Sequence, residues 1–128
     1  MGAVPVVSII DDDESSRSGT LRLVRSLGFI GVAFPSAHAF LNSTQLIETS
    51  CLISDIHMPE MSGIGLRDVL RVNGHNIPII FITAFRDDKI RAQALAQGAV
   101  CFLDKPFESQ ALSLCIDAAL KSSASKNG

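Results

Sequence analysis

The stretch SIIDDDESSR, Ser8 to Arg17, changes character in a single step. Apolar β-formers run up to Ile10 and stop at three consecutive carboxylates, Asp11, Asp12 and Asp13, with Glu14 directly behind. Like charges held that close repel one another, so their gathering needs a reason. An apolar run that ends in acids and gives way to a segment of helical period reads as one βα unit. The rest of the chain repeats that unit.

Five apolar runs alternate with five helical segments. The runs are Val4–Ile10, Phe29–Phe34, Cys51–Ser54, Ile77–Thr83 and Val100–Leu103. Continuous apolar runs suit parallel strands covered on both faces. The helical segments are Ser15–Leu27, Ser36–Glu48, Gly63–Val72, Asp87–Gln97 and Glu108–Leu120. In the first, Leu21, Val24 and Leu27 share a stripe, and Gly28 is a stop signal. Ser36 is placed to cap the second, which Asn42-Ser43-Thr44 breaks or ends early. Leu112, Ile116, Ala119 and Leu120 give the last its inward side. A repeated βα unit predicts right-handed crossovers and a doubly wound parallel sheet, an α/β fold with helices on both faces. The domain is expected over residues 1–121, with SSASKNG, 122–128, as a flexible tail or linker.

Composition narrows the function. In 128 residues, 47% hydrophobic and 19% charged, there is one globular domain's worth of core. A net charge of −2 offers no basic footprint for direct contact with nucleic acid. No apolar run reaches membrane-spanning length, and the opening residues, without a charged segment leading into an apolar one, do not read as a secretion signal. Cys51, Cys101 and Cys115 are scattered without metal spacing, which reads as free buried thiols in a reducing compartment. A cytoplasmic location is expected.

Open α/β sheets bind ligands beyond the carboxyl ends of their strands. At those ends stand Asp11 and Asp12 after the first run, Asp55 after the third, Thr83-Ala84 at the fourth, and Lys105-Pro106 beyond the fifth. Singly, each has an ordinary explanation: a helix cap, a turn residue, a strand-end threonine, a solvated lysine. Asp13 or Glu14 fits the capping role. Together at one edge they do not. Converging carboxylates repel by roughly 1 kcal/mol per pair in water and by several at lower dielectric, so a cation or a proton must relieve them. Hard oxygen ligands with room for waters describe a Mg²⁺ site. A carboxylate beside that ion can attack phosphorus, and a lysine and a hydroxyl can steady the transferring group.

These residues carry a resemblance. An apolar strand followed by Asp11-Asp12, D-x-x-M-P-x-M-x-G from Asp55 to Gly63, a strand followed by Thr83-Ala84, and K-P-F at Lys105–Phe107 resemble the response-regulator receiver domain of two-component signalling, over about residues 4–121. GAVCFLDKPF is similar to the receivers of nitrogen-fixation-type regulators. The resemblance implies a flavodoxin-like (βα)5 fold of sheet order 2-1-3-4-5. It implies a phosphoacceptor, Asp55, served by a histidine kinase or a histidine phosphotransfer protein. Mg²⁺, with Mn²⁺ as a substitute, would be held by Asp12, Asp55 and the backbone carbonyl of His57, and by Asp11 through water. Thr83 would be the switch hydroxyl, Lys105 the ammonium that pairs with the phosphoryl group, and Phe102 an aromatic switch that turns inward. The Lys105-Pro106 bond would be cis.

Further implications concern output. The face of the fourth helix, fifth strand and fifth helix would control a target protein, an attached output domain or a phosphorylation-dependent homodimer. Asp87, Asp88, Lys89 and Arg91 give that face mixed charge. The chain would be a signalling phosphoacceptor and not an enzyme, catalysing only its own phosphorylation and dephosphorylation. Phe85, two after Thr83, is apolar where many receivers carry a polar residue, and is expected to slow hydrolysis of the acyl phosphate. Two rivals stand beside this reading. One is a Mg²⁺-dependent phosphatase with an aspartyl-phosphate intermediate, which would usually place its nucleophile after the first strand and carry a cap domain. The other is a receiver that has lost its chemistry and only binds partners.

Overall fold

The computed structural model describes residues 4–127. Five parallel strands, β1 Val6–Ile10, β2 Ile30–Phe34, β3 Cys51–Asp55, β4 Ile79–Thr83 and β5 Cys101–Asp104, form one sheet of order β2-β1-β3-β4-β5. Around it lie α1 Glu14–Ser26, α2 Ala37–Leu41, α3 Gln45–Glu48, α4 Gly63–Val72, α5 Asp88–Ala96 and α6 Ser109–Asn127. The doubly wound sheet and its order are those expected.

Side chains on a strand alternate between faces, and here both faces are apolar. Ile10, Leu52, Ile79 and Phe81 enter a core with Phe40, Leu66 and Leu70, under α2, α4 and α5. Val7, Ile9, Cys51, Ile53, Ile80 and Ile82 enter a second core with Val24, Leu112 and Ile116, under α1 and α6. That double burial explains the unbroken apolar runs.

Several boundaries differ from expectation, each for a local reason. β1 starts at Val6 and not Val4, and β4 at Ile79 and not Ile77, because Pro5 and Pro78 have no N–H to give the ladder. Their carbonyls still accept from Ile30 and Leu52. The expected second helix is two short ones. Ser43 donates to the Phe40 carbonyl and accepts from the Gln45 N–H, which separates α2 from α3. The expected fourth and fifth helices are therefore α5 and α6. α6 also continues through Asn127, so residues 122–127 extend the helix where an irregular tail was expected. Neither Gly nor Pro interrupts Lys121–Asn127, and a started helix propagates through such residues. Gly128 lies outside the described residues.

α1, α4 and α5 end alike. Gly28, Gly74 and Gly98 follow the caps at φ 94°, 82° and 99°, where a side chain would be strained. The residue after each sends its N–H back to Val24, Leu70 and Ala94 respectively, which satisfies helix-end carbonyls. Those stops return the chain to the sheet at β2, β4 and β5, which run parallel to β1 and β3, and so the strand ends share one edge.

Candidate functional site

At that edge the first strand delivers Asp11, which is fully buried. Its backbone N–H still bonds to the Phe34 carbonyl, so the sheet ladder fixes its position. The Ser16 hydroxyl donates to Oδ2 at 2.6 Å, and the Asp13 N–H donates to Oδ1 at 3.0 Å. Arg17 donates to the Asp11 carbonyl at 2.9 Å. Asp13 caps α1 by accepting from the Ser16 N–H at 2.7 Å. Asp12 stays exposed and faces the cavity.

Asp55 ends β3 and is 6% exposed. The loop behind it is closed by the Gly63 N–H donating to the Ile56 carbonyl, with Glu60 at φ 70° turning the chain. Gly63 presses α4 directly onto the site. A Cβ there would stand 2.6 Å from the Asp55 carbonyl oxygen and 3.0 Å from the Phe81 ring. One Asp55 oxygen accepts the His57 N–H at 3.0 Å.

Lys105 ties the two acids together. Its backbone N–H donates to the Thr83 carbonyl at 2.8 Å, one residue beyond the β4–β5 register. Its Nζ lies 2.8 Å from Asp11 Oδ2 and 2.8 Å from Asp55 Oδ2. The Lys105–Pro106 bond is cis. Burial pulls the Lys105 pKa down, but the two carboxylates outweigh it and the pKa lies above its ordinary value.

The two carboxylates share one ammonium yet diverge. For Asp11, burial pushes the pKa up, but hydrogen bonds from Lys105, Ser16 and the Asp13 N–H win, and it lies below the ordinary value. For Asp55, burial outweighs the bonds from Lys105 and the His57 N–H, and the charge of Asp11 adds to it, so the pKa is raised. The difference follows from the donors: the Ser16 hydroxyl serves only Asp11. Asp55 is the more basic carboxylate of the pair.

Oxygens of Asp11, Asp12 and Asp55 all lie within 4.8 Å of one another. Ligands on an octahedral Mg²⁺ stand about 2.9–4.2 Å apart, given bonds of 2.0–2.1 Å, so these acids need only a small contraction. Charge points the same way: three carboxylates and one ammonium leave two negative charges, which a divalent cation cancels. The donor set fits that ion. His57 contributes no ring nitrogen to the cluster. Its ring meets Phe85 edge-on, centroids 5.6 Å apart, at the mouth of a cavity of about 320 Å³ whose walls include Asp12, Asp55, His57, Phe85 and Lys105.

Thr83 is buried, and its hydroxyl is turned back on its own chain. It donates to the Phe85 carbonyl at 3.1 Å and accepts the Phe85 N–H at 3.0 Å. Phe102 lies apart from the acids, 5% exposed, 6.5 Å from the Phe81 ring and beneath the Arg91 guanidinium at 5.7 Å. The ring already points inside, whereas the switch implied by the resemblance begins outside. Arg91 also pairs with Asp104 at 3.8 Å, so its charge is partly spent within the α5–β5 surface.

The structure thus brings together Asp11, Asp12, Asp55, the His57 backbone and Lys105, and sets Thr83 just behind them. Sequence reading missed Ser16, Arg17 and the packing role of Gly63. Ser16 and Arg17 sit on the first turn of α1, directly after the acids, where a short helix entry returns side chains to the strand end.

A family profile described as the response regulator receiver domain matches residues 7–117. Response regulator protein TodT of Pseudomonas putida is 42% identical over 116 residues, spanning 91% of this chain and 51% of TodT. Among solved structures, the response regulator StyR superposes with a TM-score of 0.87 at 42% identity, covering 98% of this chain and 63% of that one. FixJ-N superposes with a TM-score of 0.83 at 33% identity, covering 94% and 96%. The chain spans about half the length of the curated relatives it matches.

Proposed function

The chain belongs to the response regulator receiver family, and on that premise we propose that it accepts a phosphoryl group onto Asp55 from a phosphohistidine of a kinase or phosphotransfer protein. The observation that carries the reading is the Asp55 carboxylate at the cavity floor, bridged by Lys105 at 2.8 Å to a second buried acid. An Asp55 oxygen attacks phosphorus in line, and the phosphorus–nitrogen bond breaks with its electron pair leaving on the donor imidazole. Lys105 follows the oxygens of the incoming group. Asp11, Asp12, Asp55 and the His57 carbonyl would hold Mg²⁺, or Mn²⁺, which when bound supplies the positive charge for acids and phosphoryl oxygens alike.

Thr83 then exchanges its bonds to the Phe85 backbone for one to a phosphoryl oxygen. That contact exists in one state only, which is what lets phosphorylation bias a two-state element. With Phe102 already packed inside, the movement left to the switch is mainly that of Thr83 and the β4–α5 loop. The α5–β5–α6 surface would carry the change to a target, an output domain or a second copy. On this reading the chain is a cytoplasmic signalling protein that catalyses only its own phosphorylation and dephosphorylation. No helix among the described residues is long and apolar enough to cross a membrane.

Intact mass after incubation with acetyl phosphate and Mg²⁺ tests the proposal. One phosphoryl adduct is expected on the wild type and none on Asp55→Asn or with EDTA. No adduct on the wild type, and no response to beryllofluoride, would favour a chain that only binds partners.

A further inference from the structure

The opposite edge of the sheet holds a second charged concavity. It measures about 190 Å³ and is walled by Arg67 and Arg71 of α4, His75 and Asn76 after it, Gly98 before β5 and Ser122 of α6. Among the described residues no carboxylate lines it. Arg67 Nη1, on a residue that lines the concavity, is buried with no hydrogen-bond partner among the described residues. A buried guanidinium N–H left unmatched is costly, more so than a neutral donor, and native structures avoid it.

The guanidinium packs on the loop that precedes β5. A Cβ at Gly98 would stand 2.9 Å from Arg67 Nη2 and 4.0 Å from Cζ, so the guanidinium meets the chain tip-first at a position where φ of 99° favours glycine. Asp68, next on α4, is exposed and does not line the concavity. Burial, and then the like charge of Arg71, push the Arg67 pKa down, and the attraction of Asp68 does not make this up. Two cations are thus held near one another beside an unfilled donor. The space exceeds what one water needs and admits a small tetrahedral or planar anion with its waters.

We infer that this concavity is an oxyanion site, in which the Arg67 and Arg71 guanidiniums grip a phosphate or carboxylate group with the polar edge of His75 and Asn76 around it. The chemistry common to both ligands is a planar fork of donors meeting two oxygens. The site lies across the sheet from Asp55 and owes nothing to the acidic cluster. Its ligand touches α4, the loop before β5 and α6 at once, and so would stiffen the end of α6 against the body.

Amide and arginine Nε chemical shifts of the whole chain, titrated with inorganic phosphate and with acetate against chloride at matched ionic strength, decide the matter. Saturable shifts at His75, Asn76, Gly98 and Arg67 are expected with one oxyanion or both, and which of them saturates names the source of the group. Arg67→Gln and Arg71→Gln should each weaken binding about tenfold (about 1.4 kcal/mol), while acetyl phosphate still modifies Asp55. Arg71 is exposed, so its variant reads the site even where Arg67→Gln disturbs the packing on Gly98. Shifts that chloride reproduces, that fail to saturate, or that survive in both variants would overturn the inference.

Discussion

At the scale of single residues, the site is decided by who donates to whom. Asp11 collects three donors and stays a firm anion; Asp55 collects two and keeps the more basic oxygen. On the proposed function, a carboxylate that attacks phosphorus is served by that division. Phe85 has a separate part. It is 68% exposed, which an apolar ring pays for in contact with water, yet it stands against His57 at the cavity mouth. Replacing it by glutamate puts an acceptor where water must approach the acyl phosphate. Phe85→Glu is expected to shorten the phosphoryl lifetime about tenfold, below the 10²–10⁴ of a fully positioned acid–base group. Decay of the phosphorylated band on a phosphate-affinity gel checks this, and an unchanged rate would dispose of the shielding role. Asp11, Asp12, Asp55 and Lys105 were legible in the sequence because strand ends in an open sheet face one way. Ser16 was not, since a serine on a first helical turn reads the same whether or not it returns to the strand.

At the scale of elements, the placement of Asp55 rests on how closely α4 can approach β3. Gly63→Ala sets a methyl carbon 2.6 Å from a backbone oxygen, a neighbour that cannot swing aside. Overpacking of this kind costs about 1–3 kcal/mol. The midpoint of urea unfolding should fall accordingly, and the Asp55 loop should shift with α4. A variant as stable as the wild type would mean that α4 has slack the packing does not suggest. Strand count and direction could be read from apolar runs bounded by turn residues, while the order β2-β1-β3-β4-β5 came only with the family resemblance. Strand starts could not, because Pro5 and Pro78 look apolar while lacking the one donor that a ladder counts. The split of α2 from α3 was visible in Asn42-Ser43-Thr44. The length of α6 was not: Lys121–Asn127 is polar and small, a composition shared by frayed tails and by helices that run past the core.

At the scale of the whole molecule, two cores seal the sheet, and the thiols lie within one of them. Cys51 and Cys115 belong to the α1–α6 side, and burial, with neighbouring thiols, pushes each pKa up to about 12. At pH 8 their thiolate fractions are on the order of 10⁻⁴, too small for ready attack on a disulfide reagent. Ellman's reagent should leave both unreacted in the native chain and report all three cysteines in urea. Rapid native labelling of all three would mean that the α6 side opens often. A last consequence follows from the Lys105–Asp11 contact, which joins residues 94 positions apart. During synthesis Asp11 and Asp55 emerge well before Lys105, which directly follows β5. A chain that stops before Lys105 holds the acidic half alone, without the ammonium that bridges Asp11 and Asp55. On the proposed function, competence to accept a phosphoryl group is therefore acquired only once β5 has joined β4 and brought Lys105 to the acids.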